Sequence, residues 1–127
     1  MTDRSDRAGR RPSIVRETLA WVVGRRRRIR VVGESMTPTL VPGQFVLVDP
    51  ARTPVAGELA LARHPTQARL LVVKRVGTVG GDGRFELASD NPEAGTDSRT
   101  WGPVEAELIQ GTVTLLLDRP TAELGRP

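Results

Sequence analysis

Lys74 and Ser35 are the two residues of this chain whose types and surroundings predict bond-breaking chemistry. Lys74 is the only lysine in the sequence, since the other 18 basic residues are all arginine, and it ends the apolar run 70–73. A guanidinium stays protonated in proteins, whereas an amine moved out of water can lose its proton and act as a base. Ser35 lies between a β-rich run and a turn containing Pro38. Because a serine activated by a neutral lysine is a hydrolytic nucleophile, the two residues predict a Ser/Lys dyad.

The rest of the composition excludes most other catalytic chemistry. The chain has no cysteine and a single histidine, His64, so it lacks the ligands for a zinc or iron–sulfur site and cannot form a disulfide. We therefore predict no metal and no cofactor. His64 lies in a polar, proline-containing loop, 62–67, where we expect an exposed histidine rather than a member of a catalytic triad.

The positive charge of the chain raises the question of nucleic-acid binding. The formal net charge is +4 and the pI is near 11.1. Recognition of single-stranded nucleic acid uses aromatic side chains as a stacking platform. The aromatic residues here are few and scattered, at Trp21, Phe45, Phe85 and Trp101. We therefore predict no nucleic-acid partner.

Much of this charge lies in the first 28 residues, which predict no membrane-spanning segment. Residues 1–12 are polar and poor in apolar residues, so we expect a disordered basic tail that is not a secretory signal peptide. Residues 13–28 predict a short helix, capped by Ser13, and then the arginine run Arg25–Arg28. The longest apolar run, Leu19–Val23, is far shorter than the roughly 20 residues that span a bilayer.

Two arrangements of the predicted helix remain open. We expect it to dock on the rest of the domain with the arginine run solvated, and we expect a cytoplasmic protein. The alternative is a peripheral membrane protein, because an apolar helix beside four arginines attracts anionic headgroups.

From residue 29 onward, short apolar runs alternate with turns rich in proline and glycine. This pattern is typical of a mainly β, antiparallel domain, which we place at 29–117, followed by a C-terminal tail at 118–127. Arg69–Val76 is the strongest strand candidate, and its continuous apolar run predicts burial on both faces up to Lys74. Residues 89–102 predict a loop. The predicted strands are Ile29–Val32, Gln44–Asp49, Glu58–Ala62, Arg69–Val76, Arg84–Ala88 and Gly111–Leu117.

Three segments resemble the motif boxes of the signal peptidase I family of serine proteases. Gly33–Leu40 with Val46–Val48 resembles the nucleophile box, and Val73–Gly77 resembles the general-base box. Ser89–Asn91 with Asp97–Arg99 resembles a third box, which packs beside the dyad. Three boxes in the right order are far more specific than any one of them. The resemblance covers about 29–117 and implies antiparallel coiled sheets or a partly open barrel, with one short N-terminal helix.

The resemblance also implies a role for individual residues. Ser35 would be the nucleophile and Lys74 the general base. The oxyanion site and substrate groove would involve Gly33, Met36 and Pro38. The supporting residues would be Arg75, Asp90, Asn91, Thr96, Asp97, Ser98 and Arg99.

The sequence departs from the resembled pattern at three positions around the dyad. Gly33 stands where some family members supply an oxyanion donor from a serine side chain. Gly95 stands where a hydroxyl residue helps to orient the lysine. Either Thr96 supplies that hydroxyl through a shifted loop, or the lysine is held less firmly. Ser89 occupies a position that is often glycine in the family.

A specific function follows from the resemblance. The short form with Ala62–Pro65 and Leu70–Arg75 resembles the nickel-type superoxide dismutase maturation protease. We therefore predict a serine endopeptidase that removes an N-terminal leader from a protein precursor, with that dismutase as the expected substrate. The first alternative is a signal peptidase I that acts on exported preproteins at a membrane surface. A self-cleaving regulatory protein is less favoured, because residues 1–28 are too short for a DNA-binding helix-turn-helix. The sequence leaves the oligomeric state open.

Overall fold

Six antiparallel strands form one open sheet in the computed structural model, which describes residues 13–117. The predicted tails, 1–12 and 118–127, lie outside the described residues. The strands are β1 (Arg27–Arg30), β2 (Phe45–Asp49), β3 (Leu59–Arg63), β4 (Leu71–Val79), β5 (Phe85–Ala88) and β6 (Ile109–Leu116). Their order in the sheet is β1-β2-β6-β3-β4-β5, so the last strand of the sequence pairs in the middle. The mainly β, antiparallel fold is confirmed.

The sheet has a hydrophobic cluster on each face, and β3 contributes to both. Successive side chains of a strand point to opposite faces. Leu59 and Leu61 accordingly pack in one cluster with Met36 and Leu40, whereas Ala60 and Ala62 pack in the other. The second cluster contains Val76, Phe85, Leu87 and Val104.

The strands buried on both faces are therefore β2 and β3 and not β4, which corrects the prediction for Arg69–Val76. Leu71 and Val73 are only half-buried at the margin of the first cluster, and Val72 is half-buried at the margin of the second. Lys74, by contrast, is buried. The apolar run of β4 thus lies at the edges of both cores while its lysine lies inside the protein.

Helix α1 (Ile14–Val22) begins after Ser13, whose hydroxyl accepts a hydrogen bond from the Arg16 backbone N–H at 3.3 Å. The helix docks through the polar contacts of Glu17 and through the small side chain of Ala20, and its larger apolar residues do not contribute. Its buried residues are Glu17 and Ala20. Glu17 accepts hydrogen bonds from Arg26 Nε, at 2.8 Å, and from the Thr114 hydroxyl on β6.

The arginine run is only partly solvated, in contrast to our expectation. Arg26 forms the ion pair with buried Glu17, and the Arg28 guanidinium lies 4.2 Å from the centroid of the Phe45 ring. Both contacts arise because β1 already begins at Arg27 and brings the run against the domain. Within residues 13–117, no helix has the length and apolar character needed to cross a membrane.

The segment that links β5 to β6 contains three short helical turns, two of which lie in residues 89–102, where a loop was predicted. These are a 3₁₀ turn (Pro92–Ala94), helix α2 (Ser98–Trp101) and a second 3₁₀ turn (Ala106–Leu108). Asp97 caps α2, since its carboxylate accepts a hydrogen bond from the Arg99 backbone N–H at 3.0 Å. The capping holds this connection against β5 and beside the nucleophile loop.

Candidate active site

Ser35 lies in the loop between β1 and β2, anchored from both sides. Gly33 has φ +82°, a left-handed conformation that glycine adopts without steric cost, which explains glycine at this position. After Ser35, the side chains of Met36 and Leu40 are buried in the first hydrophobic cluster. The Leu40 N–H donates to the Met36 carbonyl at 2.9 Å, which closes the turn. Ser35 itself is half-buried.

Of the residues expected at the groove, Met36 points into the core. Its Sδ atom accepts a hydrogen bond from the Asp90 N–H at 3.4 Å. Pro38 is exposed on the loop, and Gly33 is exposed on the other side of Ser35. Met36 therefore supports the loop from inside while Gly33 and Pro38 remain on the surface.

A second loop, 89–91, holds the nucleophile loop in place. The Asn91 N–H donates to the Ser35 carbonyl at 2.8 Å, and the Asn91 side-chain amide donates to Thr37 Oγ1 at 2.9 Å. Asp90 accepts two hydrogen bonds from the Arg75 guanidinium, at 2.9 and 2.8 Å, and a third from the Thr39 hydroxyl. The Arg75 hydrogen bonds hold the pKa of the Asp90 carboxyl below its usual range. These contacts join the nucleophile loop to the strand that carries Lys74.

Lys74 lies on β4 with only 3% of its surface exposed. A Cβ atom placed on Gly95 would lie 3.5 Å from Lys74 Nζ and 3.7 Å from Ser35 Oγ. The two atoms of the predicted dyad therefore surround one small space next to Gly95. Among the described residues, no hydrogen bond yet joins them, which is common before substrate binds.

Burial lowers the pKa of the Lys74 amine from its ordinary value. The negative charge of Asp97 opposes this effect and the positive charge of Arg99 reinforces it, but burial is the largest cause. Because removal from water disfavours the ammonium form, a larger fraction of Lys74 is neutral than of a lysine in solution. The direction of this pKa shift is the one that a lysine base requires.

Ser89, which the sequence analysis did not include among the site residues, contacts the lysine. Lys74 Nζ donates a hydrogen bond to Ser89 Oγ at 2.9 Å, and both side chains are buried. Thr96, which was one of the two alternatives considered for holding the lysine, is exposed and does not hydrogen-bond Lys74. The signal in the sequence was a serine at a position where the resembled pattern often has glycine.

Asp97 holds the two segments of the third box together through hydrogen bonds. Its carboxylate accepts hydrogen bonds from the Ser89 N–H at 2.8 Å and from Arg99 Nε at 2.8 Å. Burial is the largest influence on this carboxyl and raises its pKa, but the hydrogen bonds from Arg99 and Ser89 outweigh it and lower the pKa to about 2. Ser98 Oγ accepts from the Leu87 N–H at 2.9 Å and ties α2 to β5.

His64 is buried, so the prediction of an exposed loop histidine is wrong. Its Nδ1 atom accepts the backbone N–H groups of Thr66 and Gln67, both at 3.1 Å. The ring packs edge-on against Trp101, with centroids 4.9 Å apart. Residue 101 lies far along the chain, in α2, which is why the sequence around His64 did not show this cover. In residues 13–117, no group of three or more His, Cys, Asp or Glu is placed to hold a metal ion.

Comparison with known proteins adds two findings. The model of a family described as Peptidase S24-like matches residues 24–113, a range that contains Ser35, Lys74 and Ser89. The chain is also 33% identical, over 104 aligned residues, to the mitochondrial inner membrane protease subunit 1 of Schizosaccharomyces pombe (strain 972 / ATCC 24843). That alignment covers 64% of this chain and 66% of the yeast protein, so it spans just under two thirds of that relative.

Proposed function

This chain belongs to the Peptidase S24-like family, and on that premise we propose that it is a serine endopeptidase that removes an N-terminal segment from a protein precursor. The observation that carries the proposal is the placement of Ser35 Oγ and Lys74 Nζ around one space beside Gly95. A buried amine that can be neutral, next to a half-buried serine, is the arrangement that a Ser/Lys hydrolase needs.

The proposed reaction uses Lys74 as the proton carrier in both halves. Ser35 Oγ attacks the carbonyl carbon of the scissile peptide and its proton passes to Lys74 Nζ. The tetrahedral intermediate then breaks its C–N bond, and Lys74 returns the proton to the departing amine. Water, deprotonated by Lys74, attacks the resulting ester and releases Ser35 with its proton restored. The lysine begins and ends each turnover as a neutral amine.

The oxyanion of the intermediate needs hydrogen-bond donors. We assign the first to the Ser35 backbone N–H, which has no hydrogen-bond acceptor among residues 13–117. Gly33 has no side chain to offer a second donor, and its open left-handed turn leaves space for a substrate strand on the exposed side of the loop.

For the substrate, we propose the precursor of a nickel-type superoxide dismutase, cleaved in the cytoplasm. Support comes from the resemblance of the 62–65 and 70–75 segments to the maturation protease of that enzyme. The structure assigns these segments to β3, β4 and the loop between them, which position Lys74 and bury His64.

A second candidate is a leader peptidase that works at a membrane surface. The name of the yeast relative, an inner membrane protease subunit, favours it. The exposed apolar residues of α1 favour it as well. The dyad chemistry is the same in both candidates, and only the substrate and the place of action differ.

The test is cleavage of defined precursors by the purified full-length chain. A nickel-type superoxide dismutase precursor and an exported preprotein are incubated with it separately, and the N-terminus of each product is sequenced. We expect a single cut in the dismutase precursor and none with Ser35→Ala. Cleavage of the preprotein alone would favour the second candidate. No cleavage of either, by a chain shown to be folded, would contradict the proposal.

A further inference from the structure

Ser89 and Gly95 both lie next to the dyad, and we propose that Ser89 is the residue that positions Lys74 for proton transfer. This inference rests on the proposed function and deepens it. The Ser89 hydroxyl accepts one N–H of Lys74 Nζ at 2.9 Å within the protein interior. A neutral amine has two N–H donors and one lone pair. Using one donor on Ser89 limits the rotation of the amine, so that its lone pair can face Ser35 Oγ.

The backbone of Ser89 is itself fixed. Its N–H donates to Asp97 Oδ2 at 2.8 Å, and the Asp97 carboxylate is held in turn by Arg99. The following two residues bind the nucleophile loop, since the Asn91 N–H donates to the Ser35 carbonyl. One short segment, 89–91, therefore touches both members of the dyad and sets their relative position.

Gly95 shows why the hydroxyl comes from position 89. A Cβ atom on Gly95 would lie 2.8 Å from the Ser35 Cβ, closer than two carbon atoms pack without displacement. Any side chain at position 95 would therefore push the nucleophile. Since its backbone is extended, at φ −172°, the need for glycine comes from this contact and not from the backbone conformation. A serine at position 89 reaches Lys74 without occupying that space.

The single lysine allows a test that does not depend on activity. Protein labelled with ¹³C at the lysine side chain gives one side-chain signal, from Lys74. Its pH titration reports the hydrogen bond, because Ser89 Oγ stabilises the ammonium more than the neutral amine. We expect Ser89→Ala to lower the pKa of Lys74 further. Thr96→Ala, which removes the exposed hydroxyl beside Gly95, is the control variant. We expect Lys74 to titrate in this variant as it does in the parent protein.

Kinetics on a cleaved substrate give the second readout. We expect Ser89→Ala to lower kcat about 10–100-fold with KM nearly unchanged, the size of effect that misplacing a catalytic group produces. Ser89→Thr, which keeps the hydroxyl, should recover part of kcat. The reverse exchange, Ser89→Gly with Gly95→Ser, should stay inactive because of the contact with Ser35.

The outcomes separate this inference from the proposed function. An unchanged Lys74 titration in Ser89→Ala, or a shifted titration in Thr96→Ala alone, would overturn the assignment of Ser89. Full activity in the reverse exchange would also overturn it. If no substrate is cleaved but Ser89→Ala shifts the titration, the positioning of Lys74 stands and the proposed peptidase function fails.

A separate observation concerns helix α1, which presents its apolar side to solvent. Residues 14, 15, 19 and 22 share one side of the helix by their spacing. Ile14, Val15, Leu19 and Val22 are 60–71% exposed, whereas Glu17 and Ala20 on the other side are buried. The ion pair of Glu17 with Arg26 and its hydrogen bond to Thr114 hold the helix in this orientation.

The charges around this apolar side of α1 indicate what it binds. The segment 13–30 contains six arginines and one acidic residue, and that residue, Glu17, is already paired. Arg16, Arg25 and Arg27 are exposed around the helix and at its C-terminal end. An apolar helix face bordered by cations fits the interface of a bilayer with anionic headgroups. We propose that α1 binds the surface of such a membrane, with its axis along the bilayer plane.

Vesicle sedimentation of the full-length chain tests this proposal. We expect binding to phosphatidylcholine vesicles that contain phosphatidylglycerol, little binding without it, and weakening by salt. Leu19→Asp should reduce binding about tenfold, since it removes one buried leucine from the interface. Leu70→Asp is the matched control, because Leu70 is an exposed leucine outside the helix, immediately before β4. This variant should bind as the parent does.

Three results would overturn the lipid assignment. The first is the absence of binding to anionic vesicles at low salt, and the second is equal binding by Leu19→Asp and Leu70→Asp. The third is self-association in ultracentrifugation that Leu19→Asp abolishes, without any vesicle binding. In that case the apolar side of α1 contacts a second copy of the chain.

Discussion

Asp97→Asn is the substitution whose effect on stability the structure defines most sharply. Asp97 is 1% exposed, and its carboxylate accepts hydrogen bonds from the Ser89 N–H, the Arg99 N–H and Arg99 Nε. An asparagine amide keeps one acceptor oxygen and turns an NH₂ donor toward the N–H groups that the second oxygen bound. We expect the free energy of unfolding at neutral pH to fall by roughly 2–3 kcal/mol, and the melting temperature by about 10–15 °C.

The pH dependence of the free energy of unfolding leads to a similar magnitude. The folded pKa of Asp97 is about 2, below the ordinary 3.8, so the carboxylate form stabilises the folded state. That contribution is fully present above pH 3.8 and is lost as pH falls toward 2. For a pKa shift of this size the contribution to the free energy of unfolding is on the order of 2–3 kcal/mol. The difference between parent and Asp97→Asn should therefore shrink as the pH is lowered through this window.

The assay is urea unfolding of both proteins at neutral pH and at several acidic values. Asp82→Asn is the matched control: Asp82 also accepts a backbone N–H, from Arg84, but its side chain is 66% exposed. We expect Asp82→Asn to lower the free energy of unfolding by less than about 0.5 kcal/mol. Equal stability of Asp97→Asn and parent at neutral pH, or a difference that stays constant down to pH 2, would contradict a stabilising role of the Asp97 carboxylate.

Four further predictions concern catalysis. Lys74→Arg should abolish cleavage of the precursor while circular dichroism shows a retained fold, because arginine keeps the charge but does not become a neutral base; substantial activity in this variant would exclude the lysine-base mechanism. The rate should rise with pH as Lys74 loses its proton, with a midpoint below the ordinary lysine value of 10.5 because burial lowers the pKa; a pH-rate profile with its midpoint at the ordinary value would contradict a buried base. Gly95→Ala should lower kcat at least about tenfold, since the added Cβ lies 2.8 Å from the Ser35 Cβ, whereas Gly81→Ala, where a Cβ meets no atom within 4 Å, should not. Activity should survive EDTA, because the dyad needs no metal; inactivation by EDTA that zinc reverses would contradict this.

The sheet could be predicted from the sequence because its determinants are local. Alternation of apolar residues and the positions of proline and glycine placed all six strands within a few residues. Among the boundaries that moved by two residues or more, those of β1 and β4 lie where arginines and a glycine continue a strand beyond its apolar run, and β6 begins two residues before its predicted start. Strand order was beyond the sequence, since the pairing of β6 between β2 and β3 depends on contacts between residues distant along the chain.

The residues proposed for the site were visible in the sequence only in part. A lone lysine after an apolar run, and a serine in a turn, are visible in the sequence, and the fold brings them to one space beside Gly95. The hydrogen-bond partner of Lys74 could not be predicted from the sequence, because Ser89 and Thr96 lie in the same irregular segment and both carry hydroxyls. Only the packing of that segment, held by Asp97, decides that Ser89 turns inward and Thr96 outward.

Residue types alone show which groups are available for chemistry: a single lysine amine at the end of an apolar run, a serine in a turn, and no thiol. Which side chains are buried and which face solvent depends on the tertiary structure. An apolar helix has the same sequence pattern whether it covers a core or faces outward, and the buried Glu17–Arg26 pair selects the outward orientation of α1. The loop histidine looks exposed until Trp101 covers it. The physical reason is the same in each case, since burial is a property of what packs against a residue, and the partners are supplied by distant parts of the chain.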